Sequence, residues 1–435
     1  MLSVKPFSAQ RTNQRVGHPS LIVASVVQQH VEDAAILYST RSTITQAPHV
    51  KLHHLLRFDV RIAAHLDGLG VAGEKATRMC EAGLYPPSAG GVFVATMCSI
   101  AEQRADRLDR LFVLAETAAL PRAGLLAAFG WLGTEQLRSH VAELLSAPFP
   151  LKRLAGIAAC SMHRVDPGLT AARCFEDPEA MVRARAWRAA GELGKRELVS
   201  AAAVAAVDAQ LECQFWAAWS AVLLGDRESG LALLKDLAVT PSRFRRRASQ
   251  LAFQAMTLGS SHTFLQSLAQ DPAEIRPLIR GAGLVGDPAY IPWLIGFMTD
   301  DKLARLAGES FSLITGLDLA WLDLERKPPE NFESGPNDDP NDPNVDMDED
   351  DGLPWPDQKL IQAWWDANSN RFQPGVRYFM GEALNRENCL RVLKEGFQRQ
   401  RIAAALYLSL LNPGTPLFEW RAPAWRQQRL LATMT

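Results

Sequence analysis

Short apolar segments that end in glycine recur along the middle of this chain at nearly regular intervals. Six of these segments end at Gly133, Gly194, Gly225, Gly259, Gly286 and Gly316. Successive glycines are 61, 31, 34, 27 and 30 residues apart, and the first gap equals two periods of about 30. A unit of this length has room for two helices of roughly three turns each, with their connections. The period therefore predicts a repeat protein whose neighbouring helix pairs stack to bury a common core.

The repeat unit is clearest over residues 175–194. Asp177 and Pro178 are the residue types preferred at a helix N-cap and at the first helical position. Gly194 suits the left-handed conformation that ends many helices. Between them, apolar residues fall on one helical face at Val182, Ala186, Ala189, Ala190 and Leu193. This pattern resembles the HEAT repeat, and no alternating β-type segment is present. The sequence predicts an all-α fold, with a HEAT-type α–α superhelix over residues 120–325.

Charge and composition divide the rest of the chain into three further parts. Residues 1–119 are predicted to form an N-terminal helical cap, and residues 358–435 a C-terminal helical module. Eleven acidic residues and no basic residue lie between Lys327 and Lys359, and without them the net charge of −2 becomes +9. The region 326–357 is rich in Pro, Asp and Asn, with too few apolar residues to fold alone. It is predicted to be a disordered insert that contacts either the basic body or a basic partner.

Several functional classes lack their usual sequence signatures. The chain has no run of eighteen apolar residues and no signal-peptide pattern, so we expect a cytoplasmic protein without membrane segments. Its six cysteines form no CxxC pair, which favours reduced, buried thiols. No phosphate-binding glycine motif and no nucleophile-elbow motif is present. We therefore predict no catalytic residue, no cofactor and no metal ligand.

Two short patterns in the sequence weakly resemble metal-binding motifs. Three acidic residues alternate within the insert, at Asp346, Asp348 and Asp350. A calcium loop of the EF-hand type would also need a central glycine and a terminal glutamate, which are absent. His49 and His53 share a helical face, but the glutamate of a zinc-binding HExxH motif is missing. A solvated or interhelical face is the preferred interpretation of the histidines.

Tryptophan and arginine residues mark the candidate contact surface for a partner protein, because these types dominate interface hot spots. The predicted partner-binding residues are Trp364, Trp365, Arg371, Arg377, Arg399, Arg401, Arg245 and Arg246. The last two belong to the basic cluster 243–247. This cluster leaves a second function open, a HEAT-like lyase or DNA glycosylase that binds phosphate backbones. Arginines at a helix start are ordinary in repeats, so a nucleic-acid partner is the less favoured prediction.

Three segments carry a more specific resemblance. They are 65–73, which reads HLDGLGVAG, 364–381, and 398–405 together with Ala-Pro-Ala at 422–424. Together they resemble a family of bacterial HEAT-repeat proteins that are often encoded in type VI secretion neighbourhoods. The resemblance covers residues from about 20 to 435 and implies no enzymatic activity. It implies a protein partner, with this chain as an adaptor or co-chaperone for a secretion effector or its chaperone. Self-association through the terminal modules is a further possibility.

Overall fold

The described part of the chain is almost entirely helical. The computed structural model describes residues 22–330, 332, 335 and 348–434. These residues form 21 α-helices and one two-stranded sheet. The prediction of an all-α fold is confirmed. None of the described helices combines the length and the apolar character that a membrane crossing requires.

Three helices precede the regular part of the chain. They are α1 (Ala24–Ile44), α2 (Leu52–Ala72) and α3 (Glu74–Ala82), and all three pack against α4 (Ala89–Ala101). Most of their buried apolar residues belong to the same core cluster as α4, in which Leu66 and Phe93 are completely buried. This region corresponds to the predicted N-terminal helical cap, but α4 belongs to the regular series that follows.

Helices of a single series contact one another in sequence order. With α4, the series comprises α6 (Ala119–Trp131), α8 (Pro150–Met162), α9 (Ala180–Leu193), α11 (Leu211–Leu224), α13 (Arg245–Ala255), α15 (Ile275–Val285) and α17 (Ala304–Thr315). We call these the stacked helices. Their first residues are 29 to 34 residues apart, close to the interval of the sequence repeats. The regular spacing begins at α4, about 30 residues before the predicted boundary at residue 120.

A second set of helices flanks this series, each packing on the stacked helix that follows it in the chain. The flanking helices are α5 (Ala105–Thr117), α7 (Thr134–Ser146), α10 (Val199–Ala205), α12 (Ser229–Val239), α14 (Leu258–Leu268) and α16 (Ile291–Gly296). A 3₁₀ segment, Gly168–Glu176, takes this position before α9. The flanking helices are amphipathic, as α5 illustrates: Leu111 and Phe112 are buried, whereas Val113 is exposed.

Four of the six repeat glycines end stacked helices in a conformation that disfavours other residues. The backbone φ is positive at Gly194, Gly225, Gly286 and Gly316, with values of 69°, 118°, 75° and 76°. The other two differ from the prediction. Gly133 has a φ of −74° and is the N-cap of α7, and Gly259 lies inside α14. At these two sites the preceding helix ends earlier, at Trp131 and Ala255.

The C-terminal part folds back along the stack instead of extending it. Its elements are α18 (Gln358–Asn368), the antiparallel strands β1 (Tyr378–Phe379) and β2 (Glu382–Ala383), α19 (Arg386–Glu395), α20 (Gln398–Leu411) and α21 (Ala424–Thr433). Within it, residues 377–426 form what we call the return segment. Helix α20 packs on α11 and α13, and α21 packs on α2. The C-terminal module is therefore joined to the middle and to the start of the chain.

Backbone hydrogen bonds attach the return segment to the ends of three stacked helices. The Met380 amide donates to Leu313 O over 2.7 Å at the end of α17, and the Tyr378 amide donates to Gly286 O over 2.8 Å at the end of α15. Farther along, the Leu417 amide donates to Glu192 O over 3.0 Å at the end of α9. These bonds satisfy carbonyl groups that a helix C-terminus leaves without intrahelical partners.

The return segment ends against the first two helices. Arg41 of α1 forms a buried ion pair with Asp59 of α2, and its guanidinium also donates to the carbonyls of Arg421 and Ala422 over 3.0 and 2.9 Å. Asp59 accepts a further bond from the Ala424 amide. The ion pair thus joins the N-terminal helices to the C-terminal module.

The described ends of the acidic insert are ordered, which differs from the predicted disorder of residues 326–357. Asp350 is only 2% exposed and accepts two bonds from Arg276 over 2.7 and 2.8 Å, while Asp348 pairs with Arg305 at 2.6 Å. These carboxylates neutralise arginines of the stack and are not arranged around a cation. Asp346, the third member of the calcium pattern, lies outside the described residues.

Candidate functional site

The structure separates the two predicted contact residues at the start of α13. Arg245 pairs with Glu274, and its Nε donates to Ala238 O over 3.1 Å, so it fastens α13 to its neighbours. Arg246 points instead into a cavity between the stacked helices and the return segment. Only the second of these adjacent arginines is available for a ligand in that cavity.

The two predicted residues of α20 also have different environments. Arg399 lines the same cavity as Arg246. Its Nη1 donates two hydrogen bonds to the Glu309 carboxylate of α17, over 3.1 and 3.0 Å. Arg401 is completely buried; it donates to Leu393 O over 2.8 Å and to Gln427 Oε1 over 2.6 Å. Burial lowers the pKa of Arg401 to about 10. Arg401 therefore holds the C-terminal module together from within.

The remaining predicted residues lie around α18 and β1. Trp365 is buried in a small core with Phe372, and Trp364 is half-buried beside Phe311. Arg377 donates to the carbonyls of Gln254 and Met256 over 2.7 and 2.8 Å, and so closes the end of α13. Arg371 is exposed, with one hydrogen bond to Asn368. The structure brings Arg246 and Arg399 to one site and distributes the other six elsewhere; partner binding by these residues stays a prediction.

The cavity that contains Arg246 and Arg399 has a volume of about 220 Å³. Stacked helices α9, α11, α13, α15 and α17 form one side of it, and the return segment forms the other, with α20 and residues 417–421. Trp216 and Trp219 of α11 contribute aromatic walls, and Trp420 contributes a third from the return segment. The site exists because the return segment crosses the stack.

Positive charge dominates the lining of this cavity. Six arginines line it, together with two glutamates, Glu192 and Glu309. The arginines are Arg188, Arg246, Arg247, Arg280, Arg399 and Arg421. We call them the cavity arginines. The six arginines and two glutamates together give the cavity lining a positive net charge.

Three cavity arginines have a carboxylate partner. Arg188 Nε donates to Glu192 over 2.8 Å, Arg280 donates to Glu349 over 3.1 Å, and Arg399 pairs with Glu309. Burial by itself would raise the pKa of Glu192, but Arg188 and the nearby Arg185 hold it well below its usual range. A carboxylate held ionised in this way is a charge partner and is poorly suited to deliver a proton.

The other three, Arg246, Arg247 and Arg421, form no side-chain hydrogen bond or ion pair with any residue in the described ranges. Burial, followed by the charges of Arg280 and Arg399, lowers the pKa of Arg246 to about 10. Burial, followed by Arg421 and Arg188, lowers that of Arg247 to about 10 as well. Both side chains are nevertheless accessible to solvent. They face a crowded, positively charged space that water can enter.

Four of the cavity arginines were not predicted as site residues, although the sequence contains a signal for two of them. Arg188, Trp219 and Arg280 each lie six residues before the glycine that ends their helix, and Gln250 lies six residues before Met256 at the end of α13. All four line the cavity. Equivalent positions in successive stacked helices face the same side, so aligning these helices on their ends identifies the row. Arg421 lies outside the stacked helices and has no such signal.

Comparison of the chain with protein-family models, with curated proteins and with solved structures finds no match. Within the described ranges, no group of three or more His, Cys, Asp or Glu side chains could hold a metal ion. What the site offers chemically is an array of hydrogen-bond donors with positive charge, supplied by guanidinium and indole groups.

Proposed function

We propose that this chain is a HEAT-type solenoid that acts as a non-enzymatic adaptor or co-chaperone in the bacterial cytoplasm. Its partner would be a type VI secretion effector or that effector's chaperone, as the family resemblance implies. The regular interval of the stacked helices supports the repeat architecture, as do the left-handed glycines that end four of them. Repeat proteins of this kind commonly use extended surfaces for protein binding.

An exposed apolar surface at the end of the stack carries the proposal. Trp321 and Leu322, in the loop after α17, are 82% and 48% exposed. The Asp357 amide donates to Leu324 O over 2.9 Å, which joins this loop to α18, where Leu360 is 46% exposed. The terminal units of repeat proteins normally present a polar face to solvent. Exposed tryptophan and leucine at this position therefore favour a protein contact.

This surface lies in the same region as two of the predicted contact residues. Trp364 follows Leu360 by one helical turn on α18, and Arg371 is exposed just after that helix. Aromatic and arginine side chains next to an apolar patch form a typical centre for a protein interface. We place the partner-binding surface here, at the junction of the last stacked helix and the C-terminal module.

The alternative of a nucleic-acid-binding HEAT protein is less well supported. Such proteins neutralise many phosphates along an extended basic surface. Here Arg246 and Arg247 of the basic cluster line a cavity of about 220 Å³, on which the return segment forms one side. A space of this size suits a compact anion better than a continuous nucleic-acid backbone.

Affinity purification from the native cell, followed by mass spectrometry, tests the proposal. We expect the wild-type chain to recover a secretion effector or its chaperone, and Trp321→Ala to lose that partner. Val207→Ala is the control, because Val207 is 84% exposed and follows α10, in the middle of the stack. Recovery of no secretion component by the wild type would refute the role. Equal recovery by both variants would refute the location.

A further inference from the structure

The cavity arginines outnumber the described carboxylates that pair with them. Arg188, Arg280 and Arg399 have carboxylate partners, but Arg246, Arg247 and Arg421 have none among the described side chains. Arginine stays protonated at neutral pH even with the pKa of about 10 of Arg246 and Arg247, so both remain charged. Arg246 and Arg247 are exposed to solvent, and together with Arg421 they present like charges to the same cavity. An anion in the cavity would reduce the repulsion between them.

The unpaired arginines reach the cavity from different sides. Arg246 and Arg247 belong to α13, and Arg421 belongs to the return segment. A carboxylate offers two acceptor oxygens in one plane, which one guanidinium can occupy alone. A phosphate presents tetrahedral oxygens, and each pair can accept two parallel bonds from an arginine. The volume of about 220 Å³ is below the roughly 300–1,000 Å³ of common small-molecule sites. It suits a group no larger than one or two phosphates.

From these observations we propose that the cavity binds a phosphate or diphosphate group, held between α13, α15 and the return segment. Arg246, Arg247 and Arg421 are its direct charge partners. This inference goes beyond the adaptor role, and it uses residues distinct from the Trp321 surface. The group could be a free anion or part of a nucleotide, because both present the same oxygens.

Isothermal titration of the full-length chain provides the test, with sodium pyrophosphate, orthophosphate and ADP as separate ligands at constant ionic strength. We expect saturable 1:1 binding of at least one ligand. Arg247→Gln should weaken it at least tenfold, about 1.4 kcal/mol, and Arg246→Gln should act in the same direction. Tighter binding of ADP than of pyrophosphate would assign the group to a nucleotide, and the reverse order would assign it to the free anion.

Arg243→Gln is the matched control, since Arg243 belongs to the same basic cluster but pairs with Glu212 and its side chain is 69% exposed. Its affinity should equal that of the wild type. A second measurement guards against misfolding: without ligand, Arg247→Gln should melt at or above the wild-type temperature, because a repulsive charge is removed. The proposal is overturned by an absence of saturable binding, by an equal loss of affinity in the control, or by a lower melting temperature of ligand-free Arg247→Gln.

Discussion

Replacing Gly286 by alanine tests whether the return segment depends on the glycine that ends α15. Gly286 has a φ of +75°, and a Cβ atom built there would lie 2.2 Å from the backbone oxygen of Tyr378. The substitution adds the left-handed backbone penalty of roughly 1–2 kcal/mol. The new Cβ would also push β1, which contains Tyr378, away from α15. This overpacking adds a further cost of roughly 1–3 kcal/mol. We therefore expect the Gly286→Ala variant to be less stable by about 2–5 kcal/mol.

The chain supplies a closely matched control at Gly375. Its φ is +78°, nearly the same as that of Gly286, but no atom lies within 4 Å of the added Cβ. Gly375→Ala should therefore lose only the backbone contribution of roughly 1–2 kcal/mol. Any stabilisation through the unfolded chain is common to both substitutions and cancels in the comparison.

Urea denaturation followed by tryptophan fluorescence gives the two stabilities, and hydrogen exchange of residues 377–384 locates the change. Exchange in this segment should accelerate in Gly286→Ala and not in Gly375→Ala. Equal destabilisation of the two variants, with unchanged exchange, would show that the close approach of Tyr378 does not contribute to stability.

Two further predictions concern buried charges near the return segment. Asp59→Ala leaves Arg41 buried without its partner and should lower the free energy of unfolding, measured by urea denaturation, by about 3–5 kcal/mol. Asp106→Ala, at a carboxylate that is 58% exposed, should lower it by less than about 1 kcal/mol. Similar losses in the two variants would contradict the role of burial. Burial, and next the charge of Arg426, lower the pKa of His163 from 6.5 to about 4. The unfolded chain then binds the proton first, so stability should fall by roughly 2–3 kcal/mol between pH 6.5 and 4. In His163→Gln this fall should be correspondingly smaller, and an unchanged pH profile would exclude the mechanism.

Local sequence signals predicted the helical class and the interval, because both depend on short-range chemistry. Helix-ending glycines and one-sided apolar spacing act within a few residues, as at Asp177 to Gly194. The same local character explains the two exceptions. The helices before Gly133 and Gly259 end at Trp131 and Ala255, ahead of the glycine. Neither the glycine nor the spacing of the apolar residues indicates this earlier end.

The position of the C-terminal module could not be predicted from such signals. Arg377 and Tyr378 bind carbonyls more than ninety residues away in sequence, and Arg421 contacts α1 nearly four hundred residues away. No local pattern encodes contacts at that separation. Residue type therefore marks arginine and tryptophan as interaction residues, but it does not show whether their partners lie within the chain or outside it. Arg401 is the clearest case, since it is completely buried.

The return segment also determines how the stack can move. When each unit touches only its neighbours, the ends can unfold independently and the curvature can vary along the array. Here the bonds from Met380 to α17, from Leu417 to α9 and from Arg41 to the carbonyl of Ala422 connect distant units directly. Stretching or bending the array would have to break these connections together. Unfolding should consequently involve both halves of the chain at once.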